Sequence, residues 1–492
     1  MTVIDKTTLK TSFETGDKPD GNDFENLIDS CGGTIQGYSG TLCIQPANEG
    51  APAGDDRGNY SVDLQTSRIN NAQVASGTYS VITGGKSNTA SGYTGTISGG
   101  RGNIASNSHS TVCGGNGNIA GGDYAFVGGG YKNNVNADYG FIGGGYDNSV
   151  NGDHGTVSGG IYNYANASSS TVGGGHNNHA EGNYSAVLGG NNCSAMAKWS
   201  AIAGGEDNLI TSSGNYSFIG SGLLNVINGG RASICGGLEN TASGDYNFIG
   251  GGGSNTASGD YNFIGGGANN NTSLLCSAIG GGADNTASGY TSTISGGGGN
   301  IASNSYSTVC GGRDNIAGGD YSVAMGRNAQ TGPYDGSFRF ADSNASAFTT
   351  GQALDSFGCR FNGGYYFYTN NSASVGVQVA GSGTSWSSIS DRNIKENFED
   401  IDHVEILERV KYLPVTKWNV IGAPTSVKHI GPMAQDFYAA FQLNGDDDKH
   451  IVHSDAEGIL FSALKGLAQE NQELKSRLDT VEERLNALEN PV

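Results

Sequence analysis

The strongest constraint on this chain is an internal repeat of fifteen residues. When the first position of each Gly-Gly step is taken as an anchor, anchors fall from 84 to 204 and, after a two-residue insertion, from 221 to 326, which gives seventeen units. A period this short excludes ankyrin and tetratricopeptide repeats. It predicts one coil of a parallel β-solenoid per unit, with two short strands and two turns.

Two positions of the repeat carry most of the structural information. The residue two before the anchor is Ile or Val in sixteen units and Ala324 in the last, which predicts an inward-facing strand position. The residue four after the anchor is Asn in fifteen units, with Cys193 and Gln330 as the exceptions. Because Asn tolerates left-handed backbone and bonds locally, we interpret this position as a repeated corner.

Composition excludes several other classes of protein. Glycine makes up 84 of the 492 residues, but there is no strict Gly-X-Y period, which excludes collagen. A hydrophobic content of 36% is too high for a disordered tail. The formal net charge of −21 argues against nucleic acid or an anionic membrane surface as the main partner.

No cofactor or metal site is indicated by the residues that usually form one. The eight cysteines contain no CxxC pair, and those at one shared repeat position are interpreted as small packing residues: Cys113, Cys235 and Cys310. The histidines of the coils lack a ligand-spaced carboxylate or thiol set, and we interpret them as exposed corner residues: His109, His154, His176 and His179. No paired carboxylates indicate a glycosidase. We expect no cofactor and no metal.

Aromatic side chains recur ten residues after eight of the anchors. They are Tyr124, Tyr139, Tyr184, Trp199, Tyr246, Tyr261, Tyr306 and Tyr321. Two interpretations stay open, namely a ladder that covers the seam between coils and a stripe that stacks on the sugar rings of a surface glycan. The insertion at Thr211–Tyr216 interrupts the regular wall and is a candidate binding loop.

The segment Tyr321-Ser-Val-Ala-Met-Gly-Arg-Asn-Ala329 resembles the S-V-A-I-G-x-x-A units of trimeric autotransporter adhesin heads, although the other units carry more Gly-Gly and Asn. The resemblance covers about residues 69–332 and implies a left-handed parallel β-roll packed as a trimer. It bears on architecture rather than on a receptor. A shared core also follows from the residues themselves, because one Ile or Val and a few Ala per coil form a thin core.

Two further segments follow the repeats. Residues 333–389 contain short alternating aromatic strands with Gly and Ser turns, which predicts a β stem. The last segment carries apolar residues spaced alternately four and three apart, and this heptad predicts a coiled coil over 460–488, which we expect to be trimeric. Its seam consists of Leu460, Leu464, Leu467, Asn471, Leu474, Leu478, Val481, Leu485 and Leu488.

The most specific motif in the chain is Ser390-Asp-Arg-Asn-Ile-Lys-Glu-Asn397. With Tyr412-Leu-Pro-Val-Thr-Lys-Trp418, His429-Ile-Gly-Pro-Met-Ala-Gln-Asp436 and the heptad, it resembles the intramolecular chaperones of phage tail fibres and tailspikes, of the endosialidase type, across 390–492. The resemblance implies an α+β domain that trimerises the fibre, helps it fold and then often cuts itself off.

The same resemblance places the family's Ser nucleophile and its Lys on Ser390 and Lys395. A serine hydroxyl needs a neighbouring base, and a lysine serves as one only when its ammonium is desolvated. The bond cut is Ile389–Ser390 or the one between Ser390 and Asp391, and both alternatives stay open. From the residues alone, Ser390 and Asp391 also suit the cap of a helix that begins near Arg392.

Residues 1–68 predict a helix over 2–10, a Gly/Pro turn and a second short helix over 24–30. They resemble the leading segment of some tail-fibre-like proteins, where it attaches to the particle; a cap for the solenoid is the alternative. The chain opens without an apolar h-region, and no run reaches the ~18 apolar residues of a membrane span. We therefore expect synthesis in the cytoplasm without a signal peptide.

These features lead to one hypothesis for function. The chain is expected to be a mostly β, homotrimeric tail fibre of a phage or a phage-derived contractile injection system, which binds baseplate or tail proteins through its N-terminus and a glycan or protein on a target cell. We expect it in a virion tail or an extracellular contractile particle, with one autoproteolytic cut rather than turnover. The alternatives are a bacterial trimeric surface adhesin and a polysaccharide-depolymerising tailspike.

Overall fold

The structure, a computed structural model, describes residues 42–43, 57–349 and 352–490. It forms two compact units, the first ending at Arg360 and the second beginning at Phe361. The first unit is a parallel β-solenoid of about 20 turns, as the repeat predicts. The two helices expected over 2–10 and 24–30 lie outside the described residues.

Two parallel sheets line the solenoid, and most turns contribute one short strand to each of them. The first sheet contains β1 (Leu42–Cys43), β2 (Val62–Asp63), β3 (Val81–Ile82), β5 (Thr96–Ile97), β7 (Thr111–Val112), β9 (Phe126–Val127), β11 (Phe141–Ile142), β13 (Thr156–Val157), β15 (Thr171–Val172), β17 (Ala186–Val187), β19 (Ala201–Ile202), β21 (Phe218–Ile219), β23 (Ser233–Ile234), β25 (Phe248–Ile249), β27 (Phe263–Ile264), β29 (Ala278–Ile279), β31 (Thr293–Ile294), β33 (Thr308–Arg313), β35 (Val323–Arg327), β36 (Phe338–Ala341) and β37 (Phe357–Arg360). The second sheet contains β4 (Thr89–Ala90), β6 (Ile104–Ala105), β8 (Ile119–Ala120), β10 (Asn134–Val135), β12 (Ser149–Val150), β14 (Tyr164–Ala165), β16 (His179–Ala180), β18 (Ser194–Ala195), β20 (Leu209–Ile210), β22 (Val226–Ile227), β24 (Thr241–Ala242), β26 (Thr256–Ala257), β28 (Asn271–Thr272), β30 (Thr286–Ala287), β32 (Ile301–Ala302) and β34 (Ile316–Ala317).

Each two-residue strand places one side chain in the core and the other nearer the surface. In β5, for example, Ile97 is fully buried, whereas Thr96 is only partly buried. Every residue two positions before an anchor, from Ile82 to Ala324, is fully buried, so the predicted inward position is confirmed. In the second sheet the inward position is often alanine, such as Ala105. The core of a turn is therefore narrow, as the composition of the repeat predicts.

The Asn that follows fifteen of the anchors by four positions is also buried, and its side chain joins neighbouring turns. Nδ2 of Asn103 donates to the carbonyl oxygens of Gly99 at 2.9 Å and Gly115 at 3.0 Å. Oδ1 of Asn103 accepts the backbone N–H of Asn118, fifteen residues on, at 2.9 Å. The same bonds recur along the solenoid. This asparagine column satisfies backbone groups whose burial without a partner would be costly.

Two sequence-based interpretations of the asparagine column are wrong. The left-handed backbone falls on the residue before each Asn, as at Ser87 (φ 60°) and Lys132 (φ 56°), because the chain turns there and leaves the Asn side chain free to point inward. Gln330 is not the last position of the column. The final coil is one residue shorter, so Ala329 takes that place and its N–H donates to Oδ1 of Asn315 at 2.9 Å.

Charged residues replace the apolar core near each end of the solenoid. Asp63 in β2 pairs with Ile82 of the next turn and is fully buried, with Arg68 donating to its carboxylate at 2.8 Å. Arg339 in β36 pairs with Ala324, is also fully buried, and donates to the Ser356 carbonyl at 3.1 Å. A buried charge needs dedicated partners, so these turns mark the limits of the regular apolar column.

Over residues 361–490, the second unit contains two small antiparallel sheets, a 3-10 turn and three helices. The first sheet consists of β38 (Gly364–Tyr368), β39 (Gly376–Ala380) and β40 (Ser387–Ser388), and the second of β41 (Thr416–Trp418) and β42 (His429–Gly431). The helices are α1 (His403–Tyr412), α2 (Ala434–Phe441) and α3 (His453–Glu489), preceded by the 3-10 turn Arg392–Ile394. The expected stem, 333–389, thus supplies strands to both units. No described helix is long and apolar enough to cross a membrane.

Candidate functional site

Ser390 and Lys395 lie against each other at the start of the chaperone-like region. Nζ of Lys395 donates to Oγ of Ser390 at 2.6 Å, and both residues are exposed. The 3-10 turn Arg392–Ile394 brings the chain back over this distance. Asp391 caps that turn, since its Oδ1 accepts the backbone N–H of Asn393 at 2.9 Å. The capping role and the Ser–Lys contact therefore coexist rather than exclude each other.

The peptide bonds on either side of Ser390 are anchored at both ends. The Ile389 N–H donates to the carbonyl of Gly376 at 3.1 Å, which ties the residue before the serine to β39. Ile389 is partly buried, whereas Ser390 and Asp391 are exposed. The turn that Asp391 caps holds the other side. This arrangement presents the Ser390 hydroxyl on a short segment between two fixed points.

The geometry allows Ser390 to act as a nucleophile on condition that the amine of Lys395 is neutral. As an ammonium, Lys395 donates its proton to Oγ and cannot accept one from it. Removal of water from the amine favours the neutral form, in which Nζ can take the hydroxyl proton of Ser390. Both side chains face solvent in the single chain, so this condition requires something further to cover them.

The helix α3 packs on α1 through a face made of small residues. A Cβ on Gly466 would lie 2.1 Å from the carbonyl oxygen of His403, so only glycine permits this approach. Beside it, Oγ of Ser462 lies 2.9 Å from Nδ1 of His403. Farther along, Nζ of Lys411 contacts Glu470 at 3.2 Å, and its bonds to Glu408 and then Glu470 raise the pKa of Lys411.

The predicted heptad seam lies on α3, and no other part of the chain that the structure describes buries it. All eight apolar seam residues are exposed, from 44% at Leu467 to 78% at Leu488. Asn471 is also exposed and donates from Nδ2 to the carbonyl of Leu467 at 2.9 Å. The structure thus brings Ser390 and Lys395 together, and it places the seam as one unpaired stripe.

Sequence reasoning missed several residues that support this region. The guanidinium of Arg392 lies 4.8 Å from the ring centroid of Phe398, inside the motif that carries Ser390. Nη1 of Arg409 donates to the carbonyl of Ala440 at 2.7 Å and so links α1 to α2. The available signal for Arg409 was its position in the last turn of an amphipathic helix, which does not specify a partner.

A comparison with protein families adds an independent finding. The model of a family described as chaperone of endosialidase matches residues 390–446. The match begins at Ser390, includes Lys395, α1 and α2, and ends before α3. A search of curated proteins found no match. The chaperone match and a solenoid of about 20 turns together fit a tailspike-like or endosialidase-like fibre.

Within 57–349 and 352–490, no group of three or more His, Cys, Asp or Glu side chains is placed to hold a metal ion.

Proposed function

We propose that the chain is the receptor-binding fibre of a phage tail or a phage-derived contractile injection system, and that it works as a homotrimer. The family match over 390–446 and the solenoid support the fibre, and the observation that carries the homotrimer is the exposed seam of α3. Its residues Leu460 and Leu464 are each 63% exposed, although the neighbouring face of the same helix is packed on α1. An apolar stripe at heptad spacing is stable in water when identical helices cover it.

The rest of the fibre is assigned by the same proposal. The solenoid is a left-handed roll whose three copies pack together, and residues 1–68 attach to baseplate or tail proteins. The target is a glycan or a protein of a cell surface. Three identical rods present the same weak sites several times and gain avidity in this way. The chain is made in the cytoplasm without a signal peptide and then joins a virion tail or an extracellular particle.

Assembly is proposed to trigger one cut beside Ser390. When trimer contacts remove water from Lys395, its neutral amine takes the Ser390 hydroxyl proton and Oγ attacks the Ile389 carbonyl carbon. The C–N bond breaks, the serine nitrogen gains that proton, and an ester joins the two parts. Water then hydrolyses the ester, which leaves a carboxylate on Ile389 and restores the hydroxyl of Ser390. Cleavage after Ser390 is the alternative.

The mass of the assembled chain tests the trimer. Sedimentation velocity on the full-length Ser390→Ala chain avoids loss of the C-terminal fragment, and we expect a species of three times 50.3 kDa. The matched variant Leu474→Asp, which places a charge in the seam, should shift the chain to smaller or aggregated species. A stable folded monomer of the Ser390→Ala chain contradicts the proposal.

Two further experiments separate the alternatives. Immunogold labelling should place the chain on tail-like particles, whereas labelling of a cell envelope indicates an adhesin. Fluorescently labelled trimers should bind the surface of target cells and leave surface glycans at their original length. Shortened glycan chains after incubation with the trimer would instead indicate a depolymerase.

A further inference from the structure

Each turn has a second left-handed residue besides the one before the column Asn, and in the middle of the solenoid the side chains at this second position form a largely aromatic surface. Tyr184 stacks on Trp199 with ring centroids 5.8 Å apart, and Trp199 stacks on Tyr216 at 4.6 Å. Farther along, Tyr246 stacks on Tyr261 at 4.6 Å. These five rings are between 41% and 55% exposed. Because Trp199 is stacked on both faces, its exposed part is the ring edge.

Two cations belong to the same surface. The guanidinium of Arg231 lies between two rings, 5.5 Å from the centroid of Tyr216 and 5.1 Å from that of Tyr246. Nζ of Lys198 lies 3.8 Å from the ring centroid of Trp199. Among the described residues, no carboxylate lies within 4.0 Å of either cation. Both positive charges are therefore free to pair with a ligand.

The residues that immediately precede these aromatic positions form a neighbouring column, and the charge of this column changes in the middle of the solenoid. The residue before the corner is Asp in many turns, and its Oδ1 accepts a backbone N–H from the preceding turn, as Asp138 does from Asp123 at 2.8 Å. In the middle of the solenoid this position holds Lys198 and Asn215 instead, with the Lys198 N–H donating to Oδ1 of Asn215 at 3.1 Å. The column carries carboxylates on both sides of that stretch, at Asp123, Asp138, Asp153, Asp245, Asp260, Asp320 and Asp335.

We propose that this surface, the Trp199 edge (Lys198, Trp199, Tyr216, Arg231 and Tyr246), binds an acidic polysaccharide that carries carboxylates. The stacked rings present a strip of apolar ring edges along which sugar rings can lie, and Lys and Arg pair with carboxylates. The two cations are two turns apart, or about 10 Å at one strand spacing per turn. That distance suits a polymer with one carboxylate for every two sugar rings.

The insertion in the repeat occurs beside the same surface. It lies in the turn before Tyr216, where the Gly214 N–H donates to the carbonyl of Thr211 at 2.9 Å. The N–H of Tyr216 still donates to the carbonyl of Lys198 at 3.0 Å, so the extra residues change the wall without breaking the aromatic line. The irregular turn therefore gives this edge a local shape that the other turns lack.

The Trp199 edge faces outward in the proposed trimer for an electrostatic reason. A three-fold seam along it would bring together three copies of Lys198 and Arg231, neither of which has a carboxylate of its own chain within 4.0 Å, and burial of unpaired charge is costly. The inference deepens the proposed recognition function, on which it rests, by naming the class of ligand. The two can be tested separately. If the trimer binds cells through another surface, this inference is wrong and the proposed recognition function still stands.

Binding of the full-length chain to immobilised hyaluronate, which has one carboxylate per disaccharide, and to neutral dextran tests the proposal. We expect binding to hyaluronate that weakens as salt is added. The variants Arg231→Asn and Trp199→Asn keep a residue that accepts left-handed backbone, and each should bind about tenfold more weakly. The matched control is Lys132→Asn, since Lys132 also lies at a left-handed corner, with Nζ 5.2 Å from the Tyr131 centroid.

Sedimentation of each variant separates loss of the site from loss of the fold. A variant that keeps the wild-type mass and loses hyaluronate supports the proposal when Lys132→Asn retains full binding. Equal binding to dextran, an equal loss in Lys132→Asn, or absence of hyaluronate binding by the wild-type trimer overturns it. A change of oligomer mass in Arg231→Asn also overturns it, because the edge would then be a contact between subunits.

Discussion

The backbone N–H of Cys193 donates to Oδ1 of Asn178 at 3.0 Å, but Cys193 has no Oδ1 to accept the next N–H of the column. The asparagine column is thus interrupted one turn before Asn208. The thiol of Cys193 lies 3.5 Å from the carbonyl oxygen of Gly205, and in other turns the equivalent carbonyl accepts a hydrogen bond from an Asn Nδ2. The repeated side-chain hydrogen bonds of the column are therefore missing at Cys193.

We predict that Cys193→Asn stabilises the solenoid. The new side chain can accept the N–H of Asn208 and donate to Gly205, which adds about 1–2 kcal/mol to the free energy of unfolding. Thermal unfolding followed by circular dichroism measures the shift. Cys235→Asn, at an exposed position outside the column, is the matched control and should leave the midpoint nearly unchanged. An unchanged or lower midpoint for Cys193→Asn contradicts this view of the gap.

We also predict that Cys193 resists alkylation in the folded chain. Burial raises the pKa of its thiol, so the reactive thiolate is scarce at neutral pH, and the side chain is shielded from solvent. Maleimide labelling followed by peptide mass analysis should modify the exposed Cys113 and Cys310 first. Labelling of Cys193 at the same rate in the native chain would show that the core opens readily.

Removal of a regular member of the asparagine column should be costly. Asn255 donates to Gly251 at 2.9 Å and Gly267 at 3.0 Å and accepts the N–H of Asn270 at 3.1 Å. Asn255→Val removes the acceptor of the buried Asn270 N–H and one hydrogen bond to each of the Gly251 and Gly267 carbonyls, so we expect a loss of about 2 kcal/mol. Thermal unfolding measures it, and binding to target cells should survive because Asn255 is not on the surface.

The neighbouring variant Thr256→Val is the control for this prediction. Thr256 begins a strand of the second sheet and is only partly buried, and valine suits a strand. Equal thermal unfolding midpoints for Asn255→Val and Thr256→Val would contradict a structural role for the asparagine column.

The sequence predicts the solenoid well because its information is periodic. The inward position from Ile82 to Ala324 follows from a single β-branched residue per unit, and the structure buries all of them. The ends are less predictable, since they depart from the period. Gln65 begins the column by accepting the Asn88 N–H at 2.8 Å, and it lies 23 residues away instead of fifteen.

The candidate site was predictable to a different extent. The motif containing Ser390 and Lys395 identified both residues, whereas the distance between them depends on the 3-10 turn that Asp391 caps. The heptad identified the seam of α3, but a heptad does not reveal which other face of the helix is occupied. That face depends on Gly466, whose role appears only when α1 is placed against it.

We predict that Gly466→Ala disrupts the second unit. A Cβ at this position would lie 2.1 Å from the His403 carbonyl oxygen, a backbone atom that cannot move without shifting α1. The control Gly458→Ala is on the same helix, where a Cβ meets nothing within 4 Å, and it should be neutral or stabilising. Limited proteolysis should cut the Gly466→Ala chain faster within 403–470. Equal resistance in both variants would contradict the close approach of the helices.

The last prediction concerns the contact between Lys395 and Ser390. If assembly desolvates this pair, a denaturing gel and intact mass should show a body that ends near 389 or 390 and a fragment of about 100 residues. Ser390→Ala removes the nucleophile and Lys395→Ala removes the base, so both chains should stay full length while keeping the trimeric mass. Ser388→Ala, two residues earlier and also exposed, should be cut like the wild type. Because the trimer forms first in this scheme, the seam variant Leu474→Asp should also remain uncut even though its Ser390 and Lys395 are intact. Cutting of that variant would show that cleavage does not depend on assembly. A wild-type trimer that stays uncut would contradict the cleavage reaction and leave the chaperone role as the function of this region.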